Sequence, residues 1–153
     1  MNSVELLSKL FTDTFQGQAW HGPSLQTIIN DVTPEQAAYQ PGHSVHSIAE
    51  FVYHAAYWMK AVRHWASDEA FTPDQPASWG PNGVLPEQNW NDAKATLTAE
   101  YDLLKKVIDT FPEEKLAAIA YAESGLTYYT LLHGLVHHNL YHAAQIAILK
   151  KLQ

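Results

Sequence analysis

The predicted fold rests on residues 127–151, TYYTLLHGLVHHNLYHAAQIAILKK, which carry a helical pattern of apolar side chains. Thr127 is a suitable N-cap, and Lys150 and Lys151 lie at the end where a helix dipole favours positive charge. At roughly 100° per residue, one face of this helix collects Leu131, Leu135, His138, His142, Ile146 and Leu149. We therefore predict a long final helix whose core-facing row includes two histidines.

The final helix holds two pairs of histidines spaced four residues apart, and this spacing alone does not distinguish them. His133 and His137 point to nearly the opposite side from the apolar row, whereas His138 and His142 lie within it. Two inward imidazoles each need a polar partner, because an unsatisfied buried polar group costs about 1–3 kcal/mol. A metal ion would satisfy both. The alternative is a pair of ordinary core histidines that hydrogen-bond to tyrosine or backbone groups.

The second long helix supplies a third candidate ligand. SIAE at 47–50 is a capping box that precedes an apolar run, and it predicts a helix from about 47 to 67. His54 lies on the edge of the apolar stripe of this helix, on a ridge with Phe51, Trp58 and Trp65. We therefore predict a divalent-metal site formed by His54, His138 and His142.

The first part of the chain also has helical signals. Residues 3–30 predict a first helix with Ser3 as a possible cap. Gly22-Pro23 interrupts its pattern and predicts a kink or a brief break. A capping box with proline at the first helical position, TPEQ at 33–36, predicts a short helical turn.

The middle of the chain completes an all-α pattern. Residues 68–90, rich in proline and without a sustained period, predict a long loop over the helix ends or near a site. Asn91 can cap a third long helix that ends near residue 110. We therefore predict one domain, 1–153, built as an antiparallel four-helix bundle with a long loop between its second and third helices.

Composition excludes several classes of protein. The 153 residues include 16 acidic and 9 basic side chains, and the formal charge of -7 argues against a nucleic-acid partner. No cysteine is present, so disulfides, thiolate catalysis and cysteine-ligated metals are excluded. The sequence shows neither a signal peptide nor a membrane span, which predicts a soluble cytoplasmic protein. A charged fraction of only 16% predicts that a second subunit covers some apolar surface.

His21 is a further candidate for the site. On a continuous first helix it would share a face with Leu7 and Leu25 and could contact substrate or orient a ligand. If the helix breaks at Gly22-Pro23, the alternative is an exposed loop histidine. Surface positions are predicted for the histidines near loops or on a polar face, His43, His46 and His64. Packing in the core or in an interface is predicted for Trp20, Trp58, Trp65 and Tyr141.

Three segments of the sequence resemble the DinB-like (DinB/YfiT) superfamily of metal-binding four-helix bundles. They are AWHGPSL at 19–25, SIAEFVYH at 47–54 and HNLYHAAQI at 138–146, and they follow the family's order across nearly the whole chain. The resemblance implies that three histidines bind the metal. They are His54, His138 and His142, the same residues that the apolar faces of the two helices indicate. Ala144 stands where the family often has glycine, which is a change between small residues.

The resemblance also implies a class of function. Many proteins that this chain resembles are homodimers that hold zinc or nickel, so the resemblance implies a homodimer with such an ion. The family includes thiol S-transferases and a mycothiol-dependent isomerase. The enzyme hypothesis is that the metal keeps a low-molecular-weight thiol as a thiolate, which attacks a small electrophilic substrate in detoxification or stress defence. Metal-dependent hydrolysis is a weaker variant, because the sequence lacks a His-Glu-x-x-His motif. The alternative class is a ligand-binding or structural metal-binding protein without catalysis.

Overall fold

The computed structural model describes residues 1–42, 45–80, 87–121 and 123–153, and this part of the chain is helical. The α-helices are α1 Ser3–Phe15, α2 Leu25–Ile29, α3 Pro34–Ala38, α4 Ile48–Ala66, α5 Glu87–Asp109 and α6 Tyr128–Lys151. Single turns of 3-10 helix lie at Ala77–Trp79 and Glu113–Lys115. Isolated bridges are the only β-type pairings among the described residues, which confirms the predicted all-α class. Each helix in these ranges is too short or too polar to cross a membrane.

Side-chain caps determine where several helices begin. The Ser47 hydroxyl accepts a hydrogen bond from the Glu50 N–H, and the Glu50 carboxylate accepts one from the Ser47 N–H at 2.7 Å. The same reciprocal pair forms between Thr33 and Gln36 at the start of α3. Thr127 caps α6. The predicted starts of these helices are therefore confirmed.

The predicted first helix is divided in two. α1 ends at Phe15 and α2 begins after its cap, Ser24, so the break predicted at Gly22-Pro23 extends over residues 16–24. Gly22 has a φ of 125°, a backbone conformation that residues with a side chain rarely adopt. The predicted kink or brief break is therefore too short, because the chain leaves helical geometry from residue 16 to residue 24.

Two other predicted helix starts are wrong by a few residues. Asn2, not Ser3, caps α1, because the Asn2 side chain accepts the backbone N–H in the first turn. α5 begins at Glu87, before the predicted cap Asn91. Trp90 explains the earlier start: its ring is buried, and its indole N–H donates to a backbone carbonyl that precedes α3 at 2.8 Å. Tertiary packing thus holds this turn in the helix.

The four long helices contact one another in a closed ring. α4 packs against α5 and α6, and α1 packs against the same two helices. Buried apolar side chains fill the space between them, and Tyr101 of α5 stacks on Phe15 of α1 with 3.9 Å between ring centroids. Arg63 of α4 pairs with Glu100 of α5 at 3.0 Å. The α4–α6 contact joins the two helices that carry the predicted ligands.

The loop after α4 folds back onto that helix. Its 3-10 turn, Ala77–Trp79, contacts α4. Gly80 lies so close to α4 that a Cβ at this position would be 2.7 Å from the Tyr53 ring. Residues 77–80 of the predicted 68–90 loop therefore lie against α4, residues 81–86 lie outside the described residues, and residues 87–90 belong to α5.

Replacing the α4 cap tests how firmly this helix start is held. We expect Ser47→Ala to lower the free energy of unfolding by about 1 kcal/mol, since the Glu50 N–H loses its acceptor. Ser3→Ala is the matched control, because Ser3 is exposed and is not the cap, and it should change stability by less than about 0.5 kcal/mol. Urea denaturation followed by circular dichroism measures both. Equal losses in the two variants would contradict the assigned caps.

Candidate metal centre

Three histidines from α4 and α6 form the candidate site. Ring nitrogens of His54, His138 and His142 all lie within 4.8 Å of one another. The Nε2 atoms of His138 and His142 are 3.2 Å apart. His54 and His142 are buried, with exposed fractions of 5% and 6%, and His138 is half-buried. The fold thus brings together the residues that the sequence predicts as ligands.

Hydrogen bonds define the tautomer of two of these rings. His54 Nδ1 lies 3.0 Å from Ser78 Oγ, and the Ser78 hydroxyl donates its own proton to the Gln75 carbonyl at 2.7 Å. Ser78 must therefore accept, so His54 carries its proton on Nδ1 and a lone pair on Nε2. His142 Nδ1 donates in the same way to Gln145 Oε1 at 2.7 Å. Both Nε2 lone pairs are then available to a ligand.

The donor set fits a metal ion. The 3.2 Å between the Nε2 atoms of His138 and His142 is close to the roughly 3.3 Å expected between two imidazole nitrogens at tetrahedral zinc bond lengths. A cation between the two nitrogens would satisfy both, and the alternative is the neutral His138 tautomer that carries its proton on Nε2 and donates it to His142. His138 Nδ1 is also buried without a hydrogen-bond partner among the described residues. Neutral imidazole suits zinc and nickel alike, so the residues present are compatible with either ion.

Burial keeps the three imidazoles neutral. It lowers the pKa of His54 to about 3 and the pKa of His138 to about 4, and the neighbouring imidazoles add to both shifts. Burial also lowers the pKa of His142. Protons therefore compete weakly for these nitrogens at neutral pH, and the neutral form is the one that binds metal.

Aromatic rings enclose the histidines on the α4 side. Trp79, in the 3-10 turn, stacks on His54 with 3.7 Å between centroids and 9° between planes. Its opposite face stacks on His46 at 3.6 Å. Phe51 lies 5.2 Å from His142. These contacts fix the ring orientations and make the surroundings of the nitrogens apolar, which is the physical source of their lowered pKa.

His21 is not part of this cluster. It lies in the exposed segment between α1 and α2, as expected once the first helix breaks, and its role as a substrate contact stays a prediction. Over the described ranges no further His, Asp or Glu joins the three histidines. Trp65 is buried as predicted, whereas Trp20 is fully exposed and does not pack in the core. His43 lies outside the described residues.

Sequence reasoning missed the groups that orient the ligands. The role of Gln145 could have been predicted from the sequence, because a side chain three residues after His142 lies on the same helical face. Ser78 and Trp79 carry no such signal, since the 68–90 loop has no period to place them. His46 was predicted as a surface residue and is partly exposed, but its stacking on Trp79 was not foreseen.

A comparison with protein families agrees with this arrangement. A family model described as the DinB superfamily matches residues 19–146, which cover most of the chain and include all three histidines. The chain therefore belongs to the DinB superfamily, as the sequence resemblance indicated. Searches of curated proteins and of solved structures gave no match.

Removing the serine that orients His54 tests the site at one atom. We expect Ser78→Ala to weaken zinc binding by about 10- to 100-fold, because His54 loses the acceptor that fixes its tautomer. Gln75→Ala is the matched control: its side chain is exposed, and the main-chain carbonyl that Ser78 uses remains. Competition with a chromophoric chelator measures both affinities. Unchanged binding in the Ser78 variant would show that this hydrogen bond does not support the site.

The lowered pKa values predict how stability depends on pH in metal-free protein. Between pH 6.5 and about 4, the unfolded chain binds protons at these histidines that the folded protein does not, so the free energy of unfolding falls as the pH falls. His138→Asn should reduce the pH dependence of the free energy of unfolding, by an amount that corresponds to at most one bound proton. His137→Asn, at an exposed position of the same helix, should leave it unchanged. Urea titrations at pH 7, 6 and 5 compare the slopes, and equal slopes would contradict the assignment.

Proposed function

We propose that this protein binds one zinc or nickel ion through His54, His138 and His142 and uses it to transfer a low-molecular-weight thiol to a small electrophile. The observation that carries the proposal is a group of three neutral imidazoles that no fourth His, Asp or Glu joins among the described residues. A three-ligand site keeps a coordination position for a reactant, as catalytic zinc sites do. Such a reaction would serve detoxification or stress defence.

The chemistry divides between the ion and the chain. A divalent cation supplies the positive charge that makes a thiol acidic enough to act as a thiolate at neutral pH. The chain fixes the position of that charge by orienting His54 and His142 through the Ser78 and Gln145 hydrogen bonds, and Trp79 covers one face of His54. The thiol proton passes to solvent, sulfur forms a bond to the electrophilic carbon, and the leaving group departs with the electron pair of its bond.

Metal-dependent hydrolysis is supported less well than thiol transfer. It needs a free carboxylate near the ion to act as a general base. Glu50 is the buried carboxylate one turn before His54, but its Oε2 already accepts hydrogen bonds from the Ser47 N–H and from the Gln40 side chain, each at 2.7 Å. Those bonds occupy it as a helix cap.

The alternative function is a structural or ligand-binding metal site without turnover. A structural zinc site is normally closed by four protein ligands. A fourth ligand such as His21 would favour the structural site, and His21 lies outside the cluster. This observation favours the enzyme, and the assay below decides between the two.

The arrangement of the helices and the oligomeric state of the protein are also proposals. The closed ring of helix contacts supports an antiparallel four-helix bundle. Exposed Leu6, Leu10 and Tyr129 line a cavity of about 360 Å³ between α1 and α6, and this apolar surface supports a homodimer. A small-molecule substrate and a cytoplasmic location stay predictions.

Metal content and thiol conjugation together test the proposed function. Protein expressed without a polyhistidine tag should carry near-stoichiometric zinc or nickel by elemental mass spectrometry. His54→Ala and His138→Ala should lose that metal, because each removes one of three ligands, whereas His137→Ala should keep it. Loaded protein should accelerate the reaction of glutathione, bacillithiol or mycothiol with monochlorobimane, in which sulfur displaces chloride and fluorescence appears.

The outcomes separate the possible functions. Bound metal with no acceleration for any of the three thiols would overturn the transferase and leave a structural or ligand-binding site. Wild-type protein that carries no metal and resists reloading would overturn the metal site itself.

A further inference from the structure

An apolar groove lies between α4 and α6 and ends at the metal centre. Its volume is about 220 Å³. Two tryptophans of α4 form one wall and one face of α6 forms the other, through Trp58, Trp65, Leu131, Gly134, Leu135 and His138. His138 belongs both to this groove and to the candidate metal centre. A molecule lying in the groove therefore has one end beside His138, one of the three candidate ligands.

Gly134 keeps the groove open. It occupies the middle of α6, where glycine destabilises a helix by about 1 kcal/mol relative to alanine. No heavy atom lies within 4 Å of a Cβ built at this position, so close packing does not require glycine there. The spacing places residue 134 on the same helical face as Leu131 and His138, and a side chain here would project into the groove.

The lining of the groove is neutral and largely aromatic or aliphatic. No carboxylate, ammonium or guanidinium group lines it among the described residues. The Trp58 and Trp65 rings, 6.3 Å apart and inclined by 42°, both line it. A neighbouring cavity beyond Trp65 is different, because Asp68 and Glu69 line it. The groove therefore favours an uncharged, apolar occupant, and a charged one would lose hydration without gaining a partner.

The volume of the groove limits the size of the molecule that it can bind. An apolar protein cavity of about 150 Å³ is enough to bind benzene. A groove of about 220 Å³ accommodates one aromatic ring with a short substituent. A thiol cofactor of peptide or sugar character is too polar and too large for it, so the groove suits the other reactant.

We propose that the groove between α4 and α6 binds the apolar part of the electrophilic substrate, a single aromatic ring or an alkyl group of that size, and holds its reacting carbon beside His138. This assignment of substrate class rests on the proposed function. Binding in the groove itself needs no metal, so it can be tested separately.

Titration with toluene tests the groove directly. In wild-type protein, metal-free or loaded with zinc, toluene should shift the amide resonance of Gly134 and the indole N–H resonances of Trp58 and Trp65 in a saturable way. Gly134→Leu should weaken toluene binding by about tenfold or more, because its side chain fills the space and removes apolar contact. Benzoate and benzylammonium should bind far more weakly than toluene to the wild type.

Two further variants keep the test decisive. Gly134→Ala adds one methyl group, should raise the melting temperature and should weaken toluene binding less than leucine does. Ala144→Leu adds bulk at an exposed position of α6 that does not line the groove, and it should bind toluene as the wild type does. Zinc stoichiometry should be unchanged in all three variants, since none replaces a ligand.

The possible failures are distinguishable. Absence of toluene binding in the wild type, or wild-type affinity in Gly134→Leu, would overturn the groove while the metal and conjugation assays stand. Toluene binding without metal or conjugation would overturn the proposed function and leave the groove. If the same resonances shift with protein concentration alone, a second copy covers the groove and the substrate assignment is wrong.

Discussion

The burial of imidazoles where α4 meets α6 is the constraint on which the rest of the site depends. Each unsatisfied polar group in such a place costs about 1–3 kcal/mol, so the surroundings must supply partners. Ser78 and Gln145 each accept one hydrogen bond from an imidazole N–H, and Trp79 covers the ring that Ser78 orients. What remains is a set of lone pairs that face one another. A cation satisfies all of them at once, whereas a neutral His138 with its proton on Nε2 satisfies only the pair that it shares with His142.

The helices were predictable wherever local signals and core packing agree. Capping boxes located the starts of α3 and α4, and the apolar row of α6 placed His138 and His142 on the inward face. The stripe on α4 then selected His54. The sequence signals failed where tertiary contacts decide the backbone: Trp90 extends α5, and the chain between α1 and α2 takes an irregular path through Gly22.

The supporting residues were harder to predict than the ligands, for a physical reason. A ligand on a helix inherits a direction from the helical period, but a residue in an aperiodic loop does not. Ser78 and Trp79 reach the site only because the turn Ala77–Trp79 packs on α4 and Gly80 allows the close approach to Tyr53. The sequence therefore identifies which atoms would bind an ion. The loop structure is needed to see how those atoms are oriented.

In the proposed function, the groove and the metal centre would divide recognition from reaction. A bound ion would place charge in an apolar shell, whereas the groove offers contact area without charge, and His138 is their shared boundary. An arrangement of this kind lets the shape of the groove change through Gly134 without altering the ligands. Related proteins with the same histidines could then accept different substrates by changing a few groove residues.

The distribution of the ligands along the chain has a consequence for the lifetime of the protein in a cell. Two ligands lie one helical turn apart on α6, and the third lies far away in sequence on α4. An ion that joins all three acts as a reversible cross-link, and withdrawing it lowers the stability of the folded state by mass action. Chains deprived of metal would unfold more often and reach proteases sooner. Metal supply would then control the abundance of this protein as well as its chemistry.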